Sequence, residues 1–245
     1  DQAYLRWQID GMQFHPDIVL FGFSPFDIRR NTNLFRGLVD LQTPLAKPRF
    51  IVEDDTLKLI HQPVTPQDKI AETLTNFYLN PLSQYEGYYD SRFSQKWWLE
   101  SKLIALIVNS VSPPVQERNI GSITPEELDL TERIVIQFGD DVAAQDSEFM
   151  VVHLPGRIHL EYLLRNGNLG YYSSLQNINE HYPVWYFESV LTESKSSYWQ
   201  PQSHYSNEMN QLLAEFIADQ VIDCLNTNEC IPQRFISMSE FSVSS

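Results

Sequence analysis

Apolar residues in this chain occur as short unbroken runs and as helical stripes, and their order along the sequence predicts an architecture. Near the start, "AYLRWQIDGM" spaces Leu5, Ile9 and Met12 along one side of a short helix. Pro16 and Asp17 then punctuate, and Ile18 to Phe23 form a continuous apolar run ending in Ser-Pro. A run that is apolar on both faces predicts a buried parallel strand, and the carboxyl end of such a strand is where α/β proteins place ligands. "SEFMVVHLP" predicts a second buried strand, stopped by Pro155, and "YPVWYFES" a third. Helices are predicted around them. "SQKWWLESKLIALIVNSV" turns Trp98, Leu103, Leu106 and Ile107 inward, and a capping box of Thr124 with Glu127, Pro125 at the first helical position, opens the next. A further helix runs from roughly Arg157 to Arg165 into a Gly/Asn turn. The last starts at about Ser206 and gathers Met209, Leu212, Leu213, Phe216, Ile217 and Val221 on one face.

Between Asn31 and about Gln95 the pattern is lost. One alternating pair, "RFIVED" and "TLKLIHQ", predicts a β-hairpin across acidic turn residues, and the stretch reads as an insertion at about 32–95. Its aromatics ("NFYLNPLSQYEGYYD") predict either a packed functional cover or a plug that only fastens the insertion to the core. The order of elements is helix, strand, insertion, helices, strand, helix, strand, helix. That is the back half of a doubly wound parallel α/β sheet in a single domain spanning 1–245. The Ser-rich tail "SMSEFSVSS" reads as a frayed terminus.

Composition narrows the function. With 42% hydrophobic residues the chain can bury a full core, and 17 basic against 32 acidic residues give a net charge of −15. That charge offers nothing to a phosphate backbone, so nucleic acid is not an expected partner. The longest apolar stretches are strand-sized, so no membrane span is expected. The chain opens at "DQAYLRW" without Met or a signal pattern, which reads as a processed or truncated product. Cys224 and Cys230, six apart, either close a disulfide, which would favour an extracytoplasmic setting, or remain two thiols; the spacing does not match a zinc site.

Candidate chemistry concentrates at His204, in the polar and aromatic stretch "YWQPQSHYS" just ahead of the last helix. In a doubly wound sheet that place is the carboxyl edge, and a histidine there can serve as general base for a hydroxyl. Taken alone, it could equally cap the helix or stand exposed. His153 and His159, six apart around "LPGRI", lack further ligands at useful spacing, so no metal is assigned; His153, inside a strand, reads as a core hydrogen-bonding group. The acidic pair Asp140 and Asp141 reads as a solvated helix face.

"PDIVLFGFSPFDIRRN", "PLAKPRF" and "HYSNEMNQLLAEFIADQVI" together resemble the SGNH (GDSL-type) hydrolase family, in particular bacterial members with a long insertion after the third strand. "DQAYLRW" is similar to the helix that follows the family's glycine block. The resemblance implies a flavodoxin-like, three-layer α/β/α sheet missing its first βαβ portion. It also implies ester hydrolysis or acyl transfer on an acylated carbohydrate or lipid, without a cofactor. His204 falls on the family's catalytic histidine, the general base. Asp27 falls where the oxyanion-hole asparagine is expected, and a carboxylate there repels a developing oxyanion. Gln202 stands at the D-x-H position of the triad aspartate and Pro201 at the D-x-x-H position; neither is acidic. Met209 replaces a usual glycine.

The family's Gly-Asp-Ser nucleophile is absent, and neither Ser24, followed by proline, nor Ser122, in a polar loop, replaces it. The resemblance therefore implies that these 245 residues alone are inactive. Loss of a central strand would expose an apolar edge at "DIVLFGF", implying poor stability, or association with a second copy or with a missing segment. The other reading is a noncatalytic relative that binds carbohydrate or protein in the same cleft, favoured by Asp27 and Gln202.

Overall fold

The computed structural model describes residues 1–40, 42–89, 101, 103, 104, 107, 123–201 and 204–227. The chain divides into two compact units, one of Asp1 with Ile28–Leu130 and one of Gln2–Asp27 with Thr131–Ser245.

The second unit is α/β, with three parallel strands among the described residues. Helix α1 (Gln2–Arg6) precedes β1 (Ile18–Phe23), which pairs with β4 (Glu148–His153), and β4 pairs with β5 (Val184–Tyr186). Side chains alternate across a strand, so one set of residues serves each face. Met150, Val152 and Trp185 pack with Leu160 of α5 (Arg157–Asn166) and with Met209, Phe216 and Cys224 of α7 (Asn207–Thr227). Phe21 and Phe149 point the other way, their rings 5.7 and 4.9 Å from Phe138 of α4 (Pro125–Ala143). Helices thus cover both faces. The apolar stripe read on the last helix is the one that packs: Met209 and Phe216 are buried, and Leu212, Leu213, Ile217 and Val221 are half-buried beside them.

Several expectations need correction. The strand at Ile18–Phe23 forms, but it is not buried: it has one neighbour among the described residues, Leu20 is 39% exposed, and only Phe23 is fully covered. An apolar groove of about 440 Å³, lined by Trp7, Phe14, Leu20 and Phe138 among others, runs along it. The first helix buries Tyr4 and Trp7, while Ile9 is 75% exposed. Its phase changes because α1 runs into a π-helical turn (Trp7–Gly11) and then a 3-10 turn (Met12–Phe14). Gly11 permits this, since a Cβ there would lie 2.5 Å from the Trp7 indole. Helix α6 (Tyr172–Asn179) was not predicted; it buries Tyr172, Leu175 and Ile178. Asp140 and Asp141 do more than solvate a face: Asp141 accepts from the Tyr4 hydroxyl at 2.6 Å, and Asp140 accepts from Tyr182. Cys224, buried on α7, is disulfide-bonded; the sequence's other cysteine, Cys230, lies outside the described residues, as does the Ser-rich tail.

The first unit contains the predicted hairpin. After α2 (Pro25–Arg30), strands β2 (Arg49–Glu53) and β3 (Thr56–Ile60) pair antiparallel, with Asp54 and Asp55 at φ 51° and 59° in the two-residue turn. Positive φ at both turn positions matches the right-handed twist of a hairpin, and aspartate tolerates it. Leu34, Phe35, Phe77 and Ile70 of α3 (Ile70–Thr75) form a core of this unit's own, joined by Tyr85 and Tyr89. Buried Glu86 accepts from the backbone N–H of Leu34, Phe35 and Tyr88 and from Asn33, which holds the chain around that core. Burial pushes its carboxyl up, and those donors pull against the shift. Leu103 and Ile107 are helical but exposed rather than inward, and Trp98 and Leu106 lie outside the described residues.

The capping box closes as read: Thr124 N–H donates to Glu127 at 2.8 Å, and Glu127 N–H donates to Thr124 Oγ1 at 3.2 Å. Replacing Thr124 by Ala removes the hydroxyl acceptor and is expected to lower unfolding free energy by about 1 kcal/mol. Urea denaturation would register this as a lower midpoint with an unchanged slope.

Candidate functional site

The three parallel strands end in step, Phe23 opposite His153 and His153 opposite Tyr186. Each is followed by a segment that turns over the carboxyl edge. After β1, Ser24 O accepts from Asp27 N–H at 2.9 Å and places half-buried Asp27 in the first turn of α2. After β4, Leu154-Pro155-Gly156 leads into α5. After β5, the 3-10 turn Phe187–Val190 carries Glu188.

His204 reaches the same edge from the far end of the chain. An isolated bridge joins Trp199 to Tyr205, and Gln200 N–H donates to His204 O at 2.7 Å. Ser206 Oγ accepts from Met209 N–H at 3.2 Å and starts α7. The Tyr205 hydroxyl donates to Pro155 O at 2.9 Å, two residues beyond β4, and its ring lies 5.5 Å from Trp199 and 6.0 Å from Phe187. Tyr205, the residue after His204, is therefore held in place, and His204 itself is exposed. An exposed imidazole on a tethered loop can exchange protons with a ligand and with solvent. Asp27 and His204 both stand at the carboxyl edge of one sheet. Gln202 and Ser122 lie outside the described residues.

Beneath this edge is a buried polar network that the sequence did not reveal. His153 Nδ1 lies 2.7 and 2.8 Å from the two carboxylate oxygens of Glu188, and Tyr172 donates to Glu188 at 2.6 Å. His153 Nε2 lies 3.1 Å from the Tyr171 hydroxyl. The four bonds are consistent if Nδ1 carries the proton, donates to Glu188, and leaves Nε2 to accept from Tyr171. His153 and Glu188 are buried and spend their hydrogen bonds on one another and on Tyr171 and Tyr172, so the network ties the ends of β4 and β5 together. Burial, reinforced by the Glu188 charge, raises the Tyr171 and Tyr172 phenols well above their ordinary range. The reading of His153 as a core hydrogen-bonding group agrees with this. Its partner Glu188 directly follows the apolar run "VWYF", where a carboxylate is unusual enough to have been a signal.

His159, in the first turn of α5, is also buried, and its Nδ1 has no hydrogen-bond partner among the described residues. Burial pulls its pKa down to about 4, with His153 adding to the shift. Among the described residues, no cluster of three or more His, Cys, Asp or Glu side chains could hold a metal ion, and no helix is long and apolar enough to cross a membrane. In the first unit, a cleft of about 430 Å³ is lined by Arg49, Tyr85, Glu86, Glu126 and Asp129 among others. Its Arg49 guanidinium already donates to the carbonyls of Thr32, Phe50 and Tyr85, and Glu86 is fully engaged as described.

No family model, curated protein or solved structure matches this chain. Function has to be argued from the site.

Proposed function

We propose that this chain comes from the SGNH lineage of ester hydrolases and acyl transferases acting on an acylated carbohydrate or lipid, with His204 as its proton-transfer group. In this reading the three parallel strands are the third, fourth and fifth strands of a flavodoxin-like sheet. The observation that carries the reading is the placement of His204: exposed, immediately before the final helix, and tethered through Tyr205 to the residue two beyond β4. In such chemistry a serine hydroxyl attacks the ester carbonyl as the imidazole takes its proton. The imidazole then returns the proton to the departing alcohol, and water repeats the cycle on the acyl-enzyme. Because these 245 residues contain no Gly-Asp-Ser sequence, they are expected not to hydrolyse esters alone.

The test is hydrolysis of 4-nitrophenyl acetate by the complete product of the reading frame that contains Asp1. His204→Ala in that product is expected to lower kcat by about 10²–10⁴-fold, the usual worth of a positioned general base.

A second reading rests on Asp27 and Gln202. A carboxylate at the oxyanion position and an amide in place of the orienting aspartate suit a cleft that binds carbohydrate without turnover. Asp27→Asn with Gln202→Asp in the complete product separates the two readings: a lineage enzyme silenced by those two changes gains ester hydrolysis, and a dedicated binding module does not.

A further inference from the structure

We propose that the N-terminus of α5, together with Nδ1–H of His159, binds one anionic oxygen of a ligand carboxylate or phosphate group. The inference does not depend on ester chemistry and involves neither His204 nor a serine.

The N-cap of α5 is Gly156, in extended conformation and without a side-chain cap. The N–H groups of His159 and Leu160 turn back to Gly156 O, while no bond is made by those of Gly156, Arg157 or Ile158 among the described residues. A ten-residue helix presents at this end free N–H groups and a partial positive charge of about half a unit, an arrangement that favours anions. Arg157 Nε–H donates to Glu161 at 2.8 Å, one turn further along the helix.

The second observation is His159 itself. It is 4% exposed and carries an Nδ1 with no partner, yet it stands at the third helical position, one turn from Gly156. Its Nδ1 lies 3.1 Å from where a Cβ on Gly156 would be, and Phe26 Cε2 lies 2.6 Å from the same point. An added Cβ would force Phe26 to move, and Nδ1 of the imidazole lies beside the glycine at the helix entrance. A buried polar atom without a partner is uncommon in native proteins, and a ligand oxygen at the helix entrance would satisfy it along with the peptide N–H groups. Phe26, 43% exposed and edge-on to the His159 ring at 4.8 Å, forms the outer wall. The site lies at the carboxyl edge of the sheet, where α/β folds bind ligands.

The experiment is an NMR titration of the 245-residue chain near neutral pH, with sodium acetate and inorganic phosphate as separate probes. In the wild type, His159 Nδ1 is expected to be the protonated nitrogen, and the amides of Gly156, Arg157 and Ile158 are expected to shift saturably. A response to acetate alone identifies a carboxylate ligand; a response to phosphate alone identifies a phosphate. His159→Phe keeps a planar ring and removes the donor, and is expected to weaken binding about tenfold or more. The proposal is overturned if Nδ1 is the unprotonated nitrogen, if neither salt gives a saturable shift, or if His159→Phe binds as tightly as the wild type. The tautomer and wild-type titrations need no variant, so they decide the matter even if His159→Phe does not fold.

Discussion

Replacing Glu188 by Leu is expected to destabilise the fold by about 3–5 kcal/mol, the usual penalty for removing one partner of a buried ionisable pair. The carboxylate accepts from His153 at 2.7 Å and from Tyr172 at 2.6 Å in a site only 4% exposed. Leucine would leave both donors buried with nothing to meet, and desolvated polar groups without partners are what make such losses large. Glu188→Gln keeps one acceptor oxygen but turns an amide N–H₂ toward a donor, so an intermediate loss is expected. Because His153 and Glu188 act as one unit, His153→Leu with Glu188→Leu should lose clearly less than the sum of the two single changes. Urea denaturation of the four chains measures this directly. Additive losses would show that the two residues stabilise the fold independently.

A second large effect concerns acid. Burial depresses His159 from 6.5 to about 4, so the folded state resists protonation that the unfolded chain accepts. Between those two values the unfolded chain binds more protons, and stability therefore rises with pH. The contribution is complete above about pH 6.5 and is lost as pH falls through 4. The shift corresponds to about 3 kcal/mol at the conversion of 1.36 kcal/mol per pKa unit. His159→Phe has no such proton to bind. Subtracting its stability-against-pH curve from that of the wild type isolates the contribution from the many carboxylates that also titrate. The difference between pH 7 and 4 is expected to approach 3 kcal/mol, with the wild type the more acid-labile. A flat difference would mean that the imidazole ionises as easily in the folded chain as in the unfolded one.

The parts of the fold legible in the sequence were those whose signals are local. Ile18–Phe23, "SEFMVVH" and "YPVWYF" read as strands because continuous apolar runs suit a sheet covered on both faces. The last helix read correctly because Met209, Leu212, Phe216 and the rest repeat at helical spacing, and the helix opening at Thr124 because both halves of its cap lie within four residues. Asp54 and Asp55 marked the hairpin turn for the same reason.

What was missed depends on partners distant in sequence. Hydrophobicity along Ile18–Phe23 cannot say how many strands lie beside it, so burial was over-read at Leu20. The first helix buries Tyr4 and Trp7 rather than Leu5 and Ile9, and the π-helical turn from Trp7 to Gly11 breaks the spacing that joined Leu5, Ile9 and Met12. Helix α6 was hidden by Gly167 and Gly170 just ahead of it, which read as the end of a helix and the start of a loop. His204 is singled out in the sequence by its position before a clear amphipathic helix, and the structure shows it exposed there. Glu188 stayed hidden because its meaning comes from His153, 35 residues earlier, and Tyr172, 16 residues earlier. The six-residue spacing of His153 and His159 says nothing of their partners: both nitrogens of His153 engage Glu188 and Tyr171, and Nδ1 of His159 lies beside Gly156.

The proposed role of His204 as a proton-transfer group is tested by kcat for 4-nitrophenyl acetate in the complete reading-frame product and in its His204→Ala form. Measurable turnover is expected in the first and a loss of about 10²–10⁴-fold in the second. Equal rates in the two, or no turnover in the complete product even after Asp27→Asn and Gln202→Asp, would contradict it.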